Sequence, residues 1–266
     1  MLSNRLLIGQ YYPSGSPLHK LDARSKIIVS MLYMVTLFVA QGWLAYLFLT
    51  AVFALTVAAA RVPASSLARG MKLIIFFVLI TVVMNGFFTP GETIWKWRFL
   101  NLTREGLFSG AVLGLRLLLL VSFASLLTLT TEPLALTDGL EKLLKPARRI
   151  GVPAHEIAMM MTIALRFIPT ILEEFDRIVL AQRARGSDVA QGNIAKRVAA
   201  MMPLLVPLFV AAFRRAEDLA QAMEAKCYRG GEGRSRWRQS RWRVADTAYT
   251  ALFCLILLGM ISMRVI

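Results

Sequence analysis

Five stretches almost free of charge limit what this chain can become: residues 27–40, 43–60, 73–88, 106–131 and 244–263. A helix crossing the hydrocarbon core of a bilayer needs roughly 17–25 mostly apolar residues. There is no water at that depth, so every backbone N–H and C=O must find its partner inside the segment, as it does in a helix. The chain is 57% hydrophobic and only 18% charged, whereas an average soluble domain is about 25% charged. The fold class expected is all-α: a polytopic membrane protein with about five transmembrane helices plus long cytoplasmic helices.

The charges that remain give the orientation. His19, Lys20, Arg24 and Lys26, with Asp22, form a basic collar ahead of the first apolar run, and Arg61, Arg69 and Lys72 form another ahead of the third. Cytoplasmic loops carry an excess of Lys and Arg, so the N-terminus is expected inside and the C-terminus outside. The Gln41-Gly42 break beside Trp43 and the near-neutral segment 89–105, with Trp95 and Trp97, read as outer turns. A net charge of +15 also raises nucleic-acid binding. The basic residues, however, lie beside apolar spans, which points to the bilayer as partner and to no nucleic acid. Residues 1–17 are too polar for the apolar core of a cleavable signal peptide. Cys227 and Cys254 fall in different settings, one cytoplasmic and one intramembrane, so no disulfide is expected. The domain reading is residues 1–26 as an N-terminal cytoplasmic segment, 27–131 as four transmembrane helices, 132–243 as a cytoplasmic helical region with a basic linker, and 244–266 as a last transmembrane helix.

Several chemistries are missing. No Gly-x-x-x-x-Gly-Lys-Ser/Thr run exists to cradle nucleotide phosphates. The two histidines, His19 and His155, have no carboxylate or cysteine at ligand spacing. No nucleophile–base constellation can be assembled on one helix face. The expectation is a chain that is not an enzyme and uses no cofactor.

Residues 155–229 read as two long helices of matched layout. In the first, Pro169 is followed six residues later by Phe175 and then by Leu180-Ala181-Gln182; in the second, Pro207 is followed six residues later by Phe213 and then by Leu219-Ala220-Gln221. Each ends in a small basic tripeptide, Ala184-Arg185-Gly186 and Ala225-Lys226-Cys227. Glycine beyond a helix end and a cation in its last turn are ordinary helix-stop chemistry. Two such ends on two matched helices suggest one part that touches two similar partners, a cationic tip entering an acidic groove on each. The apolar halves, 158–172 and 198–213, are broken by proline and run on into charged halves, so they are read as packing under or into the membrane domain rather than as further full spans. Arg116, inside the fourth span, and Arg166 each have two readings: a contact to substrate or to another subunit, or a structural cation paired locally or reaching the interface.

These residues resemble the transmembrane T component of energy-coupling factor transporters (EcfT), which are ABC-type importers of vitamins and micronutrients. The resemblance runs over nearly the whole length. It is carried by Ser16-Pro17-Leu18-His19-Lys20-Leu21-Asp22, by Leu165-Arg166-Phe167-Ile168-Pro169, by Ala184-Arg185-Gly186, and by the segment Ala222-Met223-Glu224-Ala225-Lys226-Cys227-Tyr228-Arg229-Gly230. Lys226 stands where the family usually has arginine, and Ala23 where proline is common.

The resemblance implies that Ala184, Arg185, Gly186, Ala225, Lys226 and Cys227 dock two ABC-type ATPase subunits, one at each tip. A separate membrane S component would capture the solute, and the long helices would carry ATP-driven motion to it. It also implies a multi-pass protein of a bacterial or archaeal cell membrane. Met159, Met160, Met161, Met201 and Met202 suit either a sliding surface or an ordinary core. Lysine lacks the planar fork of arginine, so the Arg185 tip is expected to carry more of the docking energy. The alternatives are a dedicated cobalt, nickel or biotin T component and, in another class, a stand-alone secondary transporter or channel. The latter would call for inverted repeats and helices broken at the midplane, and neither is visible.

Overall fold

The computed structural model describes residues 11–12, 14–97, 100–151, 153–186, 194–230 and 242–265. Eight α-helices are seen among them: α1 (Ala23–Val39), α2 (Trp43–Ala60), α3 (Ala64–Phe88), α4 (Arg104–Thr130), α5 (Pro133–Leu144), α6 (Ala154–Ala184), α7 (Ile194–Ala225) and α8 (Val244–Val265). Two short strands, β1 (Thr93–Trp97) and β2 (Leu100–Thr103), pair antiparallel between α3 and α4. They occupy the segment read from sequence only as an outer loop. A 3-10 turn, Lys145–Ile150, follows α5 and contains Pro146.

Local chemistry sets the helix ends. The Asp22 carboxylate accepts the Arg24 N–H at the start of α1 (3.0 Å), a standard use of an N-cap aspartate. Gly42 turns the chain between α1 and α2 with φ +80°, a conformation an L side chain resists. Thr103 caps α4 by accepting the Gly106 N–H.

The chain divides into two compact units. One holds α1–α4, the hairpin, the start of α5 and α8; the other holds the end of α5, the 3-10 turn, α6 and α7. The division falls inside α5, after Gly139.

In the first unit the core is an aromatic stack. Tyr33 on α1 lies flat on Phe123 of α4 with centroids 4.2 Å apart, and Phe253 of α8 meets both rings edge-on. Val29, Leu37, Leu49 and Leu119 complete it, each buried. Against α3, helix α4 presents Gly106, Gly110 and Gly114, one every turn. A Cβ at these positions would lie 2.4 Å from the Asn85 carbonyl oxygen, 3.0 Å from Val82 Cα and 2.8 Å from Val78 Cγ1 respectively. Small residues at four-residue spacing let two membrane helices approach to backbone contact, where dispersion replaces the hydrophobic drive that lipid cannot supply. On α3, Leu73, Phe76, Phe77 and Leu79 remain exposed, as lipid-facing side chains do.

By length and composition, α2, residues 71–88 of α3, α4, α6 and α8 could each cross a membrane. The number is the five expected, but the membership differs. The expected set has α1, whose 17 residues sit at the lower limit of about 17 for a span, where length and composition admit α6.

Candidate partner-docking tips

The second unit is built on the two long helices, of 31 and 32 residues. Their apolar faces meet along a groove lined by Phe167 and Ile171 of α6 and Ala216, Leu219 and Met223 of α7. Pro169 lies inside α6 and Pro203 and Pro207 inside α7, and both helices run through them. The pairing is antiparallel: His155 at the head of α6 meets Tyr228 just beyond α7, and Glu174 further along α6 pairs with Arg215 at 3.2 Å. The end of α6 and the end of α7 therefore lie at opposite ends of the pair. From His155 to Ala184 at 1.5 Å per residue, that separation is about 40 Å.

Both ends close in the same way. At the first, Arg185 is the C-cap and Gly186 follows with φ +79°, its N–H donating to Arg183 O (3.0 Å). At the second, Lys226 follows the last helical residue, Cys227 takes φ +55°, and its N–H donates to Glu224 O (2.8 Å). There the Tyr228 N–H donates back to Met223 O (3.0 Å), completing the double bond pattern of a Schellman motif. Arg185 and Lys226 thus occupy one structural position, as do Gly186 and Cys227. A non-glycine residue in the left-handed region costs roughly 1–2 kcal/mol, a cost Gly186 avoids and Cys227 bears. Ala184, Arg185, Gly186, Ala225, Lys226 and Cys227 are all exposed. Each cation sits at the negative end of its helix, and its head has no ion pair among the described residues.

The other two candidates separate. The Arg116 guanidinium donates through Nε to the Tyr46 hydroxyl (2.9 Å) and bonds it again through a second nitrogen. It also lies 5.6 Å from the ring centroids of Phe38 and Tyr46. The Tyr46 hydroxyl in turn reaches the carbonyls of Leu37 and Ala40. Among the described residues the cation is therefore met by the Tyr46 phenol and the Phe38 ring near the end of α1, and no carboxylate pairs with it. Arg166 is exposed on α6 and makes no ion pair among the described residues.

Residues 14–237 match the model of the cobalt transport protein family CbiQ. Curated relatives extend the match over almost the whole chain. The energy-coupling factor transporter transmembrane protein EcfT of Acidaminococcus fermentans is 50% identical over 257 residues, 97% of this chain and 96% of the relative. The EcfT protein of Thermosediminibacter oceani is 50% identical over 98% of each chain, and that of Clostridium kluyveri 48% identical over 97% and 95%. The chain belongs to the EcfT family. Its relatives are named as transmembrane components of a transporter, not as enzymes.

In this EcfT chain the N-terminal motif 16–22 builds a polar knot that sequence reasoning did not assemble. Asp246, fully buried on α8, accepts the Asp22 N–H (2.7 Å) through Oδ1, which also lies 2.9 Å from Ser25 Oγ. Through Oδ2 it accepts the Arg243 N–H (2.7 Å), closing the cap of its own helix. Lys26 Nζ donates to the Thr130 carbonyl (2.8 Å) at the end of α4. Beside the knot, His19 Nε2 lies 2.8 Å from the Tyr12 carbonyl. A carbonyl only accepts, so Nε2 carries the proton and Nδ1 is left to accept from Ser16 Oγ at 2.6 Å. Burial holds the His19 pKa below its ordinary value, and the Lys26 cation adds to this, while the Tyr12 carbonyl opposes it. The available signal was Asp246 itself, a lone carboxylate opening the last apolar run.

Proposed function

We propose that the chain is the coupling subunit of an energy-coupling factor importer, docking two ABC-type ATPase subunits and passing their motion to a membrane S component that holds a vitamin or other micronutrient. The observation that carries this reading is the pair of equivalent cationic helix ends about 40 Å apart on one antiparallel pair, a spacing from the helix rise. Two similar partners can each take one end without meeting at a single site. The names of the EcfT relatives support the transporter setting.

In this reading the N-terminus, α6 and α7 are cytoplasmic and the chain is a multi-pass protein of the bacterial cell membrane. Closure of the ATPases on ATP displaces the Arg185 and Lys226 ends. The stiff helices then convert that into sliding along their shared apolar face, the small shear that packed helices permit. Met160, Met161, Met201 and Met202 are exposed on these helices and can repack as it happens.

The test is affinity capture of the tagged chain from its own host in mild detergent, with mass spectrometry of what accompanies it. Two ABC-type ATPases with several small membrane proteins are expected. One constant small membrane partner would instead indicate a dedicated importer, a reading favoured by the cobalt-transport description of the matched family. Recovery of the chain alone, still moving solute in liposomes, would overturn the proposal.

A further inference from the structure

The two docking ends share a backbone geometry but differ at its left-handed residue, Gly186 in one and Cys227 in the other. Among the described residues, Arg185 and Gly186 are bonded only to carbonyls of α6. Glycine reaches the left-handed region freely, so the φ of +79° at Gly186 needs no outside support. Cys227 does not have that freedom, and the chain beyond it is gripped from outside its own helix. The Tyr228 hydroxyl lies 3.0 Å from Met159 Sδ and 3.3 Å from His155 Nε2. The other ring nitrogen of His155 lies 3.1 Å from the Glu141 carboxylate on α5. A carboxylate accepts, so Nδ1 carries the proton there, whatever the state of Nε2. One half-buried phenol therefore ties the end of α7 to the head of α6 and, through the imidazole, to α5.

We propose that Tyr228 is the positioning residue of the second ATPase-docking end, fixing Lys226 and Cys227 through His155 and Met159. This rests on the docking reading above. Lys226 is a point charge on a flexible stem and gains more from a fixed base than a planar guanidinium does. The tie also sends a displacement at Lys226 directly into α5 and the start of α6, whereas a displacement at Arg185 enters α6 from its far end.

Tyr228→Phe keeps the ring and removes the hydroxyl. The probe is the pair of ATPase subunits recovered with the wild-type chain, titrated against the purified variants. Losing one hydrogen-bonded contact should weaken binding roughly threefold to tenfold. The loss should vanish on top of Lys226→Ala and persist in full on top of Arg185→Ala, because residues acting as one unit are non-additive and distant ones add. Hydrogen exchange on the chain alone gives a second readout: the amides of Cys227 and Tyr228 should exchange faster in Tyr228→Phe and in His155→Ala, and that of Gly186 should not. If Lys226→Ala weakens binding while Tyr228→Phe does not, or if the two losses add, this inference is overturned and docking at Lys226 stands. If Lys226→Ala itself binds like the wild type, docking at this end is overturned, and the role of Tyr228 with it.

Discussion

The contact between α3 and α4 gives a substitution whose cost can be worked out atom by atom. A Cβ at Gly106 would lie 2.4 Å from the Asn85 carbonyl oxygen, 2.6 Å from Thr103 Oγ1 and 3.1 Å from Gly86 Cα. A carbon–oxygen contact settles near about 3.3 Å, so Gly106→Ala must open this end of the helix pair by about 0.9 Å. Two of the three obstacles are backbone and cannot rotate away. The third, Thr103 Oγ1, is the cap of α4 and also donates to the Thr89 carbonyl (2.7 Å). Overpacking of this kind costs about 1–3 kcal/mol, and disturbing the cap about 1 kcal/mol more. The better helix propensity of alanine returns roughly 1 kcal/mol, leaving a net loss of about 1–3 kcal/mol. Gly259→Ala on α8 is the control, because a Cβ there meets nothing within 4 Å. Reversible denaturant unfolding in mixed micelles should show Gly106→Ala destabilised and Gly259→Ala unchanged or slightly stabilised. Equal stability of Gly106→Ala and wild type, or an equal loss in both variants, would refute the close-packing argument.

Other perturbations test separate parts of the membrane unit. Asp246→Ala leaves the Asp22 N–H without its acceptor, a loss of about 1–3 kcal/mol for an orphaned buried donor, seen as a lower midpoint in the same unfolding assay. Tyr46→Phe strips the Arg116 guanidinium of its hydroxyl and should cost about 1.5–3 kcal/mol, the worth of a hydrogen bond to a charged group; an unchanged midpoint would mean that Arg116 finds its partner elsewhere. The pKa of His19 is lowered in the folded chain, so its contribution is present above its unfolded value of about 6.5 and is lost as pH falls through the folded value. Proteolysis near residues 12–19 should therefore quicken between pH 7.5 and pH 5, and His19→Gln should flatten that dependence.

Much of the architecture was legible because hydrocarbon tolerates so few solutions. Uncharged runs mark α2, α3, α4 and α8 as helices able to span, and a proline-tolerant, charge-graded pattern marks α6 and α7 as long helices. The two tripeptides were legible as helix ends for a local reason: a cation in the last turn and a small residue beyond it are ordinary helix-stop chemistry. What escaped depends on partners distant in sequence. Asp22 and Asp246 lie 224 residues apart, and nothing near either one names the other. The partner of Arg116 is the phenol of Tyr46, which scans as one more apolar residue of α2. The glycines of α4 read as ordinary members of an apolar run until α3 is laid against them. The antiparallel arrangement that places the ends of α6 and α7 far apart follows from which faces of the two helices meet, and periodicity alone does not fix that.

The central claim is that one chain docks two ATPase subunits through two equivalent ends. Native mass spectrometry of the complex captured from the host tests it most directly, with the wild type compared with the Arg185→Ala/Lys226→Ala double variant. The account predicts two ATPase subunits on the wild-type chain and none on the double variant, with Arg185→Ala alone costing more occupancy than Lys226→Ala alone. A double variant that still carries both ATPases would contradict it.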